Sequence, residues 1–281
     1  MVNIDTSWRQ RPASSIAPPE RRLNSAERHL IAVDRVVAYM RGNVAEPLTL
    51  NELADVAHCS PWHFDRVFSD VTGLSPLRYL SHLRIEAAKL AVMHSDRRII
   101  DIAYDVGYNS LGSFGKRFTE LVGLSPRALR KAADGFDIAR WRDRLDTVCA
   151  ADGGAAPALA IRGHIAYEAE PRRAGWAMIA AVSANDSILK PSACALAAVP
   201  GPFTLRDLVP GSYAVAAIAF DRAMSSGDIL AQQNAARARI GTVSAGADHL
   251  TLELRAAQVS DAPIVPPYAI LAERALRASL S

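Results

Sequence analysis

Residues 50–76 read LNELADVAHCSPWHFDRVFSDVTGLSP, and residues 100–126 read IDIAYDVGYNSLGSFGKRFTELVGLSP. Shifted by fifty positions, Asp55 falls on Asp105, Val56 on Val106, Ser60 on Ser110, Phe64 on Phe114 and Phe68 on Phe118, and the two GLSP strings coincide. One supersecondary unit is used twice. Each copy opens on a short helix with a regular apolar face: Leu50, Leu53, Ala54 and Ala57, then Ile99, Ile102, Ala103 and Val106. A few turn residues follow, and then a second amphipathic helix, with Phe64, Val67, Phe68 and Val71 in the first copy and Phe114, Phe118, Leu121 and Val122 in the second. Ser60 and Ser110 stand where an N-cap is needed. Two short helices joined by a tight turn are the sequence form of a helix-turn-helix, and repetition in register makes that reading specific.

The GLSP strings divide by position. Gly73 and Gly123 suit a left-handed helix stop, Leu74 and Leu124 can fold back, and Ser75–Pro76 and Ser125–Pro126 supply N-cap and N1 for the next helix. Between the copies, Leu80, Leu83, Ala87, Leu90 and Ala91 mark a helix from about Pro76 to Ser95. Twenty residues span about 30 Å, close to the roughly 34 Å between successive major-groove faces of B-DNA. Upstream, Leu30, Val33, Val37 and Met40 mark a helical face from Ser25 to near Gly42, and residues 1–25, which include RPASSIAPPERR, read as a flexible tail.

With 281 residues, half of them apolar, the chain can bury more than one core. No signal-like N-terminus and no run of about 20 apolar residues occurs, so a cytoplasmic protein with no membrane contact is expected. Cys59, Cys149 and Cys194 are scattered, with no metal-binding spacing, and read as buried thiols; neither a metal nor a cofactor is expected. The net charge of +3 hides a bias: residues 1–25 carry 4 Lys/Arg against 2 Asp/Glu, and residues 26–131 carry 14 against 12. The positive excess lies in the first 131 residues, split equally between these two segments.

Residues 132–157 read as a connecting helix, with Ile138, Trp141, Leu145 and Val148 in phase, followed by a Gly/Ala linker. From residue 158 to 281 the period changes to two. Leu159, Ile161, Ile165 and Tyr167 alternate with Arg162, His164 and Glu168, and Leu250, Leu252 and Leu254 alternate with Thr251, Glu253 and Arg255. Between them WAMIAAVS, ACALAAV, FTLRDL and YAVAAIAF make further strands. About six short strands predict an all-β, sandwich-like region, with residues 228–240 and the end of the chain helical. The fold class expected is multidomain: an all-α unit with two helix-turn-helix motifs bridged by a long helix, then this β-rich region.

Over residues 26–131 the chain resembles the DNA-binding domain of AraC/XylS-type transcription regulators, on the runs NELADVAHCSPWHFDRVFSDVTGLSPLRYLSHLRIEAAKLAV and IIDIAYDVGYNSLGSFGKRFTELVGLSPRALR. The resemblance implies seven helices and insertion of two recognition helices, about 61–71 and 111–122, into successive major grooves. Members commonly place this domain last, so nothing of their sensing domains is carried over. Carried onto this sequence, Trp62, His63, Asp65 and Arg66 are candidate base contacts in the first helix, and Leu111, Gly112, Ser113 and Lys116, with Gly115 beside them, in the second. Arg66 suits guanine or a phosphate, Asp65 can accept from cytosine N4, and Leu111 can meet a thymine methyl. The glycines depart from the long polar side chains typical of the family. Ser60, Ser110 and Arg117 are candidate phosphate contacts, while Arg97 and Arg98 read equally as solvated charge.

The partners that follow are double-stranded promoter DNA, RNA polymerase, a small-molecule effector of unknown identity and a second copy of the chain. LVPGSYAVAAIAF weakly resembles a transthyretin-like turn and strand, in which Tyr213 would pin a corner, and His164, Glu168, Trp176 and His249 are candidates for a pocket lining. The β-rich region would then sense a ligand or mediate dimerisation. The alternative is an architectural DNA binder whose sandwich serves only assembly. Some AraC-like chains are fused to DNA-repair methyltransferases with a Pro-Cys-His-Arg nucleophile string, which neither PSACAL nor TVCAAD matches; together with the absence of hydrolase, zinc-protease or nucleotide-loop strings, this predicts a non-enzyme.

Overall fold

The computed structural model describes residues 24–143, 159–168, 175–183, 191–232 and 235–263. The tail at 1–23, the later linker and the helix expected at the chain end fall outside them. Seven helices open the described chain: α1 (Ser25–Gly42), α2 (Leu50–Val56), α3 (Pro61–Thr72), α4 (Pro76–His94), α5 (Ile99–Asp105), α6 (Leu111–Val122) and α7 (Pro126–Asp134). Local chemistry sets their starts. Asn24 with Glu27 and Thr49 with Glu52 form reciprocal capping boxes on α1 and α2. Val33, Val36, Val37 and Met40 are the buried stripe of α1, whereas Leu30, expected there, is exposed.

The repeat is real, but its register is not uniform. α3 and α6 superpose at fifty residues, whereas α2 and α5 correspond at forty-nine. The hydrogen bonds Ala57 N–H to Leu53 O, His58 to Asp55 and Cys59 to Ala54 recur as Val106 to Ile102, Gly107 to Tyr104 and Tyr108 to Ala103. The second turn therefore holds one extra residue, and the pairing of Asp55 with Asp105 and Val56 with Val106 is off by one. Both turns need a left-handed residue, supplied by His58 (φ 56°) in one and Gly107 (φ 82°) in the other.

Helix α4 is buried on most of its circumference, including Tyr79, Leu83, Ile85, Ala88, Val92 and Met93, because structure packs on it from several directions. Phe64, Phe68, Leu80 and Leu83 share one core with α1, and Ile85, Val92, Phe114 and Phe118 share another with α5 and α7. The two halves are joined directly. Arg84 of α4 donates to the carbonyls of Val44 (2.9 Å) and Glu46 (2.6 Å), and a Cβ on Gly107 would stand 2.6 Å from Ala45 O. The second turn thus abuts the loop of the first unit.

Seven strands follow: β1 (Ile161–Tyr167), β2 (Gly175–Ser183), β3 (Ala193–Val199), β4 (Gly201–Leu205), β5 (Ser212–Asp221), β6 (Ala236–Ser244) and β7 (Leu250–Leu254). They form a three-stranded sheet in the order β4-β1-β7 and a four-stranded sheet in the order β3-β2-β5-β6. Ile161, Ile165, Phe203 and Leu252 from the first sheet and Ile179, Val199, Val215 and Ala238 from the second belong to one apolar core. Residues 228–240 are not one helix: a short helix (Ser226–Ala231) stops at Gln232, which has φ 60°, and residues from Ala236 run as β6 beside β5. The Ala- and Arg-rich composition favours a helix locally, but burial of Ala236 and Ala238 against β5 overrides that preference.

The outer face of the four-stranded sheet is also covered. Residues 138–143 are helical, and Trp141, almost fully buried, packs edge-on against Trp176 (5.9 Å) and Phe220 (5.7 Å). Ile229 completes this second core. The beginning of the expected connecting segment is therefore docked, and Leu145 and Val148 lie outside the described residues.

Candidate nucleic-acid interface

Helix α3 is held from below and open above. Phe64, Val67 and Phe68 are buried, with Phe68 edge-on to Tyr79 at 5.3 Å. Ser60 Oγ accepts from His63 N–H (3.4 Å) and Pro61 occupies the first turn, where its missing N–H costs nothing. On the outer side Trp62 is 75% exposed and Arg66 is exposed, while His63 and Asp65 are half-buried. The Arg66 guanidinium lies 5.6 Å from the centre of the Trp62 ring, so a cation and an aromatic plane form one surface. His63 meets the edge of His29 on α1 at 5.7 Å. His29 was not legible as part of this face, since it lies 34 positions away on another helix and carries no motif.

Helix α6 rests on Phe114, Phe118, Leu121 and Val122, with Tyr108 edge-on to Phe114 at 5.4 Å. Ser110 Oγ accepts from Ser113 N–H (3.2 Å). Its outer positions are Leu111, 45% exposed, with Gly112, Ser113 and Lys116 exposed and Gly115 half-buried. A Cβ at Gly112 or Gly115 would meet nothing within 4 Å. Arg117 is directed differently: its Nε donates to Ser81 Oγ of α4 (3.0 Å) and it pairs with Glu120 (3.4 Å). Of the three candidate phosphate contacts it is the one tied to another helix, whereas Ser60 and Ser110 cap their own helices. Arg97 pairs with Asp105, and Arg98 forms a fork with Asp101 (2.9 and 2.8 Å) that holds the Asp101 carboxyl below its usual range.

The GLSP strings sit where helix ends require them. Gly73 (φ 75°) and Gly123 (φ 79°) are left-handed caps whose N–H groups donate to Ser69 and Thr119 carbonyls. Leu74 and Leu124 are buried, and Pro76 and Pro126 open α4 and α7. The two serines differ: Ser125 Oγ accepts from Ala128 N–H (3.3 Å), whereas Ser75 occupies the cap position without a side-chain bond. Beneath the second unit, His82 of α4 is buried; that burial, reinforced by Arg117 and Arg78, pushes its imidazole down to about 4.

The candidates in the β-rich region do not gather. His164 is exposed on the outer side of the three-stranded sheet, Glu168 and His249 are exposed near its ends, and Trp176 is buried on the outer face of the other sheet under Trp141. Arg222 lies 4.6 Å over the Trp176 ring. Tyr213 is buried and its hydroxyl donates to Val209 O (2.8 Å), which is a structural corner. Among the described residues no group of three or more His, Cys, Asp or Glu side chains is placed to hold a metal, and no helix is long and apolar enough to cross a membrane. Cys194, expected buried, is exposed on edge strand β3; Cys59 is half-buried, and Cys149 lies outside the described residues.

Residues 53–132 match the family described as "Helix-turn-helix domain". The chain is 31% identical over 121 residues to the bifunctional transcriptional activator/DNA repair enzyme AdaA of Bacillus subtilis, a match covering 43% of this chain and 56% of that protein. It is 29% identical to the HTH-type transcriptional activator AarP of Providencia stuartii, covering 37% of this chain and 78% of that one. Among solved structures, the DNA-binding domain of AdpA in complex with a target DNA is 31% identical, with a TM-score of 0.35, 36% of this chain and 91% of that chain covered. The chain thus spans about half the length of the first of these relatives, and residues 53–132, which match the family, lie in the helical part of this chain.

Proposed function

Residues 53–132 form an AraC-type helix-turn-helix DNA-binding domain, and from that premise we propose that the chain is a transcription regulator that reads two successive major-groove segments of promoter DNA with α3 and α6. The observation that carries this reading is the outward face of α3. An exposed tryptophan and arginine stacked on each other, beside a capped helix N-terminus, combine a planar surface, a fixed cation and oriented N–H donors. On this reading Trp62, His63, Asp65 and Arg66 contact bases, Leu111, Gly112, Ser113 and Lys116 form a closer and barer second contact, and Ser60 and Ser110 approach phosphates. The division into a tail at 1–25, a DNA-binding domain at 26–131, a connector at 132–157 and a β-rich domain at 158–281 belongs to the same proposal.

The test is a DNA ligand selected from random sequence with the whole chain, followed by titration of native protein and Arg66→Ala. Native protein should bind the selected duplex with an affinity that falls steeply with salt, because neutralised phosphates release counterions. Retention of full affinity by Arg66→Ala, or a flat salt response, refutes the assignment. The sandwich-like β-rich region is proposed to receive a regulatory input, either a small molecule or a second copy of the chain. Sedimentation at rising concentration and a thermal-shift screen of metabolites separate these two inputs, and RNA polymerase is the further partner to be tested on the selected promoter. Proteolytic, repair or other catalytic roles form no part of this reading.

A further inference from the structure

The β-rich region touches both helix-turn-helix units and the helix between them. Leu230, from the short helix after β5, is buried in the same cluster as Ile102, Phe114 and Phe118 of the second unit. Ala262, beyond β7, packs on the cluster containing Val37, Phe64 and Phe68 of the first. Between these two apolar contacts runs a polar seam centred on α4. The Tyr79 hydroxyl donates to the carbonyls of Asp261 (2.8 Å) and Val259 (3.3 Å), tying the start of α4 to the segment after β7.

Farther along α4, Glu86 and Lys89 are buried, and Arg41 of α1 lies 3.7 Å from the Glu86 carboxylate. Facing them is Arg237 of β6, which donates to Ala262 O (3.2 Å) and stands 3.9 Å from Asp261; Arg255 holds that same carboxylate with two hydrogen bonds of 2.9 and 2.5 Å. The charges interact as a set. Burial raises Glu86, while Lys89, Arg41 and Arg237 draw it back down. Burial lowers Lys89 to about 8, opposed by Glu86. Backbone bonds between Arg237 and Arg255 (2.9 and 3.0 Å) join the two sheets at the same place. Buried charges are tolerated only with their partners, so such a seam closes or opens as a whole.

We propose that the β-rich region is a brace on α4, which through Tyr79, Glu86, Lys89, Arg237 and Asp261 holds the two helix-turn-helix units at one fixed separation. Its consequence for promoter reading rests on the proposed function, but the brace itself is a property of the free protein. The device couples any rearrangement of β6 or of residues 255–262 to the spacing of α3 and α6. No segment of the helical part needs to unfold for this; a shift of the seam is sufficient.

The brace is tested without DNA. Cysteines replace Asp70 and Glu120, exposed residues of α3 and α6, in the full chain with Cys59, Cys149 and Cys194 changed to serine, and spin labels on them report the distance between the two helices. The braced protein should give one narrow distance distribution. Arg237→Met removes the cation that faces Glu86 and Asp261 and should broaden that distribution severalfold. Tyr79→Phe, which keeps the buried ring and removes the hydroxyl's bonds to the two carbonyls and to Arg41, should broaden it less and guards against a folding defect in the first variant. A distribution already broad in the unsubstituted seam, or one that both folded variants leave unchanged, overturns the brace. Loss of DNA binding with the distribution intact would instead refute the functional reading alone.

Discussion

In the first helix-turn-helix unit Phe64 and Phe68 point inward and Ser60 and Gly73 close the ends of α3; in the second, Phe114, Phe118, Ser110 and Gly123 do the same for α6. At the outward positions the agreement stops. Pro61, Trp62, His63, Asp65 and Arg66 stand against Leu111, Gly112, Ser113, Gly115 and Lys116. Even Val67, buried in its own unit, is answered by Arg117, which reaches across to Ser81. The scaffold is duplicated because a short helix needs the same cap, the same stop and the same aromatic underside wherever it is placed. The reading face is under no such requirement, and there the two copies have been free to differ in size, charge and backbone access.

The comparison breaks most severely where the two units meet. Gly107 occupies the left-handed turn position that His58 fills in the first unit, and a Cβ at Gly107 would also stand 2.6 Å from the Ala45 carbonyl oxygen. Gly107→Ala should therefore destabilise the folded chain by about 4 kcal/mol, combining left-handed strain with overpacking, read as a lowered midpoint in denaturant unfolding. His58→Ala is the control: an L side chain already sits in the left-handed region there, so the change should cost less than about 1 kcal/mol.

A second asymmetry is electrostatic. His82 lies buried within the electrostatic reach of Arg117, whose place in the first unit is taken by the uncharged Val67. Its folded pKa is depressed from the ordinary 6.5 to about 4, so in acid the unfolded chain takes up a proton that the folded chain refuses. The neutral imidazole is accommodated in full above pH 6.5, and stability is lost as pH falls from there toward 4, by up to about 3 kcal/mol at the lower end. His82→Gln should lack this part of the acid limb. Parallel acid limbs for the two proteins, followed by chemical denaturation at each pH, would rule out a buried neutral histidine.

Much of this was legible in the chain, and the misreadings have physical causes. Phenylalanines at i and i+4, a serine cap and a Gly stop are local signals, so α3, α6 and the GLSP junctions could be read directly. The one-residue insertion in the second turn could not, because an aspartate and a valine recur by accident at fifty residues while the hydrogen bonds recur at forty-nine. Strand β6 was hidden for the opposite reason: ARARI has a helical composition, and only pairing with β5 makes it a strand. The brace and Arg84's grip on Val44 and Glu46 involve residues tens to nearly two hundred positions apart, which no local pattern announces. At the candidate site, the exposure of Trp62 and Arg66 followed from helix phase, but their mutual stacking, the engagement of Arg117 and the neighbouring His29 required the fold.

On DNA the units should contribute unequally. Arg66→Ala and Trp62→Ala should each weaken binding to the selected duplex by about 2 kcal/mol, roughly thirtyfold, in gel-shift titrations. Lys116→Ala should weaken it by less, about 1 kcal/mol, and mainly through a salt slope reduced by about one. Equal losses from the two helices would mean that the difference between their faces has no energetic expression.

The smallest effect is the most discriminating. Glycine within a helix is destabilising by about 1 kcal/mol relative to alanine, and nothing inside this protein asks for it at 112 or 115, since a Cβ at either position meets no atom within 4 Å. In the free protein Gly112→Ala and Gly115→Ala should therefore raise stability by about 0.5–1 kcal/mol each. If the glycines are there to let a DNA backbone approach α6, the same substitutions should lower affinity for the selected duplex, the reverse of their effect on folding. The position matching Gly112 in the first unit is Trp62, so the two helices would stand at different depths in their grooves, and a methyl group would be felt under one and not under the other. Stabilisation without any loss of affinity would leave α6 as a bare helix rather than a close-fitting one, and would shift sequence reading onto α3.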